Sequence, residues 1–159
     1  EQLQQLLDEY GAEEAESHPE GGPGDVAILR SLPGVGRMVA TSLLASAAQA
    51  LHEADQPALR AYGGLAPITR RSGKSRLVIM RHACDTRLRN AFYHWARTSI
   101  QCDDGARTYY AALRARGHSH GRALRSVADR WLRILGAMLR SRTLYDPELP
   151  QRHEAPAAA

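Results

Sequence analysis

Apolar positions along most of this chain recur every three to four residues, the interval that lines up one face of an α-helix. The clearest stretch is 121–141. There Leu124, Val127, Ala128, Trp131, Leu135 and Met138 share a face, and Arg122, Asp129, Arg133 and Arg140 share the opposite one. Before it, Leu88, Ala91, Phe92, Trp95 and Ala96 predict a helix from Asp85 to about Ile100, and 106–116 predicts another closed by Gly117. Upstream, Val39, Ala40, Leu43, Leu44 and Ala47 mark a buried stripe over 37–51. A short helix at 26–32, with Asp25 as its cap, stops at Pro33-Gly34, and Asp55 with Pro57 starts one that stops at Gly63-Gly64. Residues 65–80 interrupt the period and read as a basic loop with, at most, a short extended stretch at 77–80. The fold class expected is therefore all-α: an N-terminal helix-hairpin-helix, a basic loop and a long amphipathic C-terminal helix.

Leu3, Leu6, Leu7 and Tyr10 keep helical spacing over residues 1–16, with no cap ahead of them. A chain that begins inside a helix without Met is expected to be a piece of a longer protein. The segment SHPEGGPGD at 17–25 has a flexible-linker composition, so a domain boundary is placed there. The helical domain then covers 26–147, and the Pro- and Ala-rich tail 148–159 is expected to be disordered. With 159 residues the chain can bury a core without staples. No apolar run approaches a membrane span, and the N-terminus is no signal peptide. Cys84 and Cys102 form no CxxC pair, are expected as buried small hydrophobes, and suit a soluble, reducing compartment.

Charge changes the picture. The net charge is only +4, but residues 1–25 carry eight acids and no base, whereas 60–142 carries 18 bases against four acids. All the bases but Lys74 are Arg, which forks onto phosphate. Base composition of the genome explains a preference for Arg over Lys; it does not explain the separation of sign. A phosphate-rich partner is the leading expectation, with a merely solubilising surface as the alternative.

Two motifs carry candidate chemistry. In ILRSLPGVGRMVATSLLA (28–45), two helices joined by LPGVG form a helix-hairpin-helix pattern, whose glycines leave amide N–H groups at a helix start facing outward. Gly34, Val35, Gly36 and Arg37 are the candidate phosphate-binding residues, gripping a DNA backbone without reading bases. The alternative is a tight corner between helices that needs Gly only for steric reasons. In GLAPITRRSGKSR (64–76), Ser72 and Ser75 lie among Arg70, Arg71, Lys74 and Arg76, with Gly73 between them. A serine attacking a phosphodiester needs such charge around the phosphoryl oxygens. The glycine of a nucleotide-binding phosphate loop is missing, since position 68 is Ile. On this chemistry alone a solvated basic loop is the better reading.

Other residues read blandly. His118-Ser119-His120 is a polar helix start and Asp103-Asp104 a cap, so no metal site is expected in this chain. His94 reads as a surface or half-buried helix residue, and Phe92, Trp95 and Trp131 are placed in the core.

The segments LPGVG, YGGLAP, RRSGKSR, CDTRLRNAFYHWAR and YYAALRARGHSHGRALRSVADRWLRILGAML follow in this order. Together they resemble the C-terminal transposase domain of the IS110/IS116/IS902 family of insertion-sequence transposases, over about 27–147. The resemblance implies a DNA recombinase acting through a serine–DNA phosphodiester, with Ser72 as nucleophile and Ser75 in reserve. It implies phosphate binding by Arg70, Arg71, Lys74 and Arg76, with Gly73 letting the backbone close in. It further implies an N-terminal RuvC-like domain that holds Mg²⁺, a coiled coil ending in 1–16, a structured guide RNA and an oligomer working on DNA in a bacterial cytoplasm, at the nucleoid. Two positions depart from the family pattern: Cys84-Asp85 stand where many members have Gly-Asn, and Ser46 where many have Glu. The rival expectations are a non-catalytic helix-hairpin-helix module that binds nucleic acid, and a domain that only assembles a recombinase complex.

Overall fold

A computed structural model of the chain describes residues 2–17, 22–72 and 75–148. The expected tail beyond Glu148, linker residues 18–21, and Gly73 and Lys74 of the basic motif lie outside the described residues. The elements in chain order are α1 (Gln2–Ser17), α2 (Asp25–Ser31), α3 (Arg37–His52), α4 (Gln56–Tyr62), β1 (Ile68–Ser72), β2 (Ser75–Ile79), α5 (Thr86–Cys102), α6 (Asp104–Ala115) and α7 (His120–Ser141). This is the all-α domain that the periodicity predicts, with one addition. None of the described helices is long and apolar enough to cross a membrane.

The addition replaces part of the basic loop. Residues 68–72 and 75–79 form a two-stranded antiparallel ribbon, with Ile68 opposite Ile79 and Ser72 opposite Ser75. The departure has a physical reason: backbone pairing needs no apolar alternation, so no period in the sequence marks it.

The core is centred on α5, which packs against α3, α6 and α7. Phe92 and Trp95 are fully buried, as are Leu88 and Ala96. Trp95 stacks on Trp131 of α7 with ring centroids 6.1 Å apart, and Tyr145 meets Trp131 edge-on at 5.6 Å. Each indole N–H finds an acceptor, as a buried indole should. Trp95 Nε1 donates to the Pro33 carbonyl at 3.0 Å, and Trp131 Nε1 donates to the buried Ser99 Oγ at 2.8 Å. The surrounding helices supply the aliphatic part of the core through Ile28, Leu29, Leu43, Leu59, Leu124 and Leu135.

Side-chain caps fix four of the helix starts. Asp55 accepts from Ala58 N, Asp85 from Leu88 N, Asp103 from Ala106 N and Ser119 from Arg122 N. Asp25 is a correction. It is the first residue inside α2 rather than its cap, and Gly24 takes the cap position without a side-chain bond. The Asp25 carboxylate is instead buried and paired with Arg142 at 2.5 Å, joining the start of α2 to the end of α7. Cys102 also departs from expectation: it is exposed, while Cys84 is half-buried, and both are free thiols. Helix α1 lies along α2 and α3, with Leu7 buried and Asp8 paired with Arg30 at 3.0 Å.

Candidate nucleic-acid interface

The LPGVG turn has two glycines with different duties. Gly34 takes φ +80°, and a Cβ there would stand 2.7 Å from the Ser99 amide nitrogen. Close passage of the turn over α5 therefore demands Gly, and the steric reading of this corner is sound at that position. Gly36 faces open space, with nothing within 4 Å of a would-be Cβ. It caps α3 with no side-chain acceptor, so the first amides of α3 have the unpaired N–H groups that any helix start leaves. Val35 differs, because its N–H already donates to the Leu32 carbonyl at 3.2 Å. Arg37 is exposed and forms one wall of an open groove whose other wall is Gln4, Gln5, Asp8, Glu9 and Ala12 of α1. Acidic side chains thus stand beside this phosphate-binding candidate.

The ribbon is rooted firmly and presents the end of β1 to solvent. At the root, Leu65 and Ala66 donate to the Arg60 carbonyl at 2.9 and 3.0 Å, and Asp85 N donates to Tyr62 O at 2.8 Å. Arg89 clamps the returning chain by donating to the Arg81 and His82 carbonyls at 2.9 and 3.0 Å. Gly64, at φ +68°, lets the chain pass close to that guanidinium, since a Cβ there would stand 3.2 Å from Arg89 Nη2. Thr69, Arg71 and Ser72 are exposed. The register sets Ser72 directly opposite Ser75 and Arg71 opposite Arg76, with Arg70 one step back opposite Leu77. Opposed residues have Cα atoms about 5 Å apart, so the backbone brings both candidate serines to the same end of the ribbon.

The ribbon and the LPGVG turn are not brought together. The ribbon's root meets α5 at Arg89 and the turn meets it at Ser99, a separation of about 15 Å along the helix axis.

A third cationic feature belongs to neither motif. Between the ribbon root, α4 and α7 lies a groove of about 590 Å³ lined by Arg60, Arg122, Arg125 and Arg133, with Tyr109 and Asp129. Arg60 engages Asp129 through Nε at 2.5 Å, which takes up the carboxylate in the groove. Burial holds the Arg125 guanidinium below its usual pKa, and the nearby charges of Arg122 and Arg89 push the same way. The stripe Arg122, Arg125, Asp129 and Arg133 does follow helical spacing, a signal visible in the chain. Its meeting with Arg60 depends on how α4 packs on α7.

The four carboxylates of 60–142 each have a partner. Asp85 and Asp103 cap helices, Asp104 pairs with Arg107 at 2.8 Å, and Asp129 pairs with Arg60. His120 Nδ1 meets the Tyr110 hydroxyl at 2.8 Å, and His94 is exposed as expected. Among the described residues no three His, Cys, Asp or Glu side chains converge.

The family described as Transposase IS116/IS110/IS902 matches residues 26–111. The chain is 35% identical over 125 residues to the protein assigned as transposase of the IS117 mini-circle in Streptomyces coelicolor, covering 78% of this chain and 30% of that protein. It is 36% identical over 126 residues to a 43.6 kDa protein of insertion element IS110 from the same organism, covering 77% and 31%. It is 37% identical over 124 residues to a 42 kDa protein of insertion element IS900 from Mycobacterium paratuberculosis, covering 76% and 31%. The chain thus spans about a third of the length of the curated relatives it matches.

Proposed function

We infer from the chain's place in the IS116/IS110/IS902 transposase family, to which it belongs by a match over residues 26–111, that it is the DNA-gripping, serine-bearing part of an insertion-sequence transposase. The observation that carries this reading is the ribbon. It holds Ser72 exposed at the far end of β1 beside the exposed Arg71, on a ribbon whose root is hydrogen-bonded to α4 and to Arg89, so a DNA backbone has access from solvent.

In the proposed reaction the Ser72 Oγ attacks a phosphodiester. An Oγ–P bond forms, the P–O bond to a deoxyribose oxygen breaks, and the freed strand end leaves with a hydroxyl. The guanidinium and ammonium groups of Arg70, Arg71, Lys74 and Arg76 offset charge on the phosphoryl oxygens. The serine proton must pass to a base. We assign that base, and any Mg²⁺, to the RuvC-like domain that the resemblance implies. The resemblance supports that domain, an oligomer, a guide RNA and work at the bacterial nucleoid as parts of the same proposal. The LPGVG turn would hold flanking backbone through the α3 amides at Gly36 and Arg37.

The test is Ser72→Ala in the full-length transposase. Strand exchange should be lost and DNA binding kept, with Ser75→Ala milder. Full activity of Ser72→Ala with loss in Ser75→Ala moves the nucleophile across the ribbon. Activity of both variants leaves the reading as a binding module without covalent chemistry.

A further inference from the structure

The groove between the ribbon root and α7 holds more positive charge than the fold has use for. Four guanidinium groups line it against one carboxylate, and that carboxylate is already bound by Arg60. Arg125 is partly buried beside the cationic Arg122 and Arg89. Partial burial of like charges costs stability unless an anion offsets it. Arg130, on the same helix, is turned to the Tyr109 ring at 5.1 Å, which leaves the groove to the other four. Guanidinium forks match the tetrahedral oxygens of a phosphate, and the space of about 590 Å³ admits a sugar–phosphate unit rather than a bare ion alone.

The groove also has a fixed relation to the candidate nucleophile. Pro67, Ile79 and Met80 at the ribbon root help line it, and Ser72 lies at the far end of β1. Four residue steps of strand from Ile68 to Ser72 span about 13 Å, so β1 carries Ser72 away from the groove by about that length.

We propose that this groove, through Arg122, Arg125 and Arg133 beside the Arg60–Asp129 pair, is an anchoring site for a phosphodiester of the DNA strand that reaches Ser72. This deepens the proposed function and rests on its premise that the chain grips DNA. Arg122, Arg125 and Arg133 act as positioning residues. They hold backbone and touch no reacting atom.

The experiment measures anisotropy of a fluorescein-labelled duplex of about 24 base pairs and arbitrary sequence, long enough to cover the groove and the ribbon end together, with this 159-residue chain. Arg122→Gln/Arg125→Gln should weaken binding by about tenfold and reduce the slope of log K against log salt by about two. Its melting temperature should stay level or rise, because a partly buried, like-charged cation has been removed. The comparison pair Arg97→Gln/Arg116→Gln, on exposed parts of α5 and the end of α6, should lose less than about threefold. Unchanged duplex affinity in the groove pair overturns the anchoring site alone. A clear fall in melting temperature overturns it too, by making Arg125 a structural residue. Loss confined to a single-stranded RNA of equal length overturns the DNA assignment. Failure of the unsubstituted chain to bind the duplex overturns both this site and the premise it rests on.

Discussion

Replacing Gly34 with Ala places a methyl group where the structure has no room for one. At φ +80° an L side chain costs about 1–2 kcal/mol on backbone grounds alone. The added Cβ would also stand 2.7 Å from Ser99 N, 3.0 Å from Ser99 Cα and 3.2 Å from Thr98 C, all backbone atoms in the last turn of the packed helix α5. Relief requires the turn to lift from α5, which strains the Trp95 bond to Pro33 O and shifts the Ser99 hydroxyl that holds Trp131. Overpacking of this kind costs about 1–3 kcal/mol, so Gly34→Ala should lose about 2–5 kcal/mol in total. Gly36→Ala is the comparison: φ is −87° and the space is open, so its loss should stay within about 1 kcal/mol, the usual range for an altered cap residue. Urea unfolding followed by Trp fluorescence reads both values through the midpoint at constant slope. Equal stability of the two variants would refute the division of labour between the glycines, and with it the account of how the turn sits on α5.

Asp25→Asn should destabilise the domain by about 2–4 kcal/mol in the same assay, since it leaves the Arg142 guanidinium, itself largely buried, without its charge partner; a change under about 0.5 kcal/mol shows that the pair holds nothing. Trp131→Phe should cost about 1–3 kcal/mol through the lost bond to Ser99 Oγ and weaken the near-ultraviolet signal of the Trp95–Trp131 stack; an unaltered spectrum contradicts that packing. Binding of duplex DNA should fall steeply between about 50 and 200 mM salt with little preference among sequences, and a flat salt response contradicts phosphate as the partner.

How much of this is visible in the chain varies with the physics of each element. Helices α4 to α7 are legible because short-range signals agree at their starts: Asp55 with Pro57, Asp85, Asp103 and Ser119 each sit just ahead of an apolar period, and three to four residues suffice to read them. The Trp95, Phe92 and Trp131 core follows from the same periods. The ribbon is not legible in this way. Its strands are Arg- and Ser-rich, pair mainly with each other, and show no apolar alternation across their centre. The useful signal is local, a Gly-Lys pair between two serines, and the surrounding charge points to chemistry before it points to backbone.

Long-range pairing is hidden for a different reason. Asp25 looks like a cap by position, but its partner Arg142 is 117 residues away and only the packing of α7 against α2 joins them. The cationic groove is the same case. Arg122, Arg125 and Arg133 can be placed on one polar helix face, yet Arg60 and the ribbon root arrive there through tertiary structure. The candidate serines lie between these extremes. Their proximity in sequence is plain, and the register adds that they stand opposite one another, which position in the chain could not decide.

The central claim is that an exposed serine on the ribbon becomes bonded to DNA. Its most direct test is to incubate the full-length transposase with donor and target DNA and Mg²⁺, quench under denaturing conditions, digest, and identify the modified peptide by mass spectrometry. A nucleotide adduct on Ser72, absent from Ser72→Ala and absent when this 159-residue chain is used alone, is the predicted result. Recombined DNA without any protein–DNA adduct in the 68–79 peptide would contradict it.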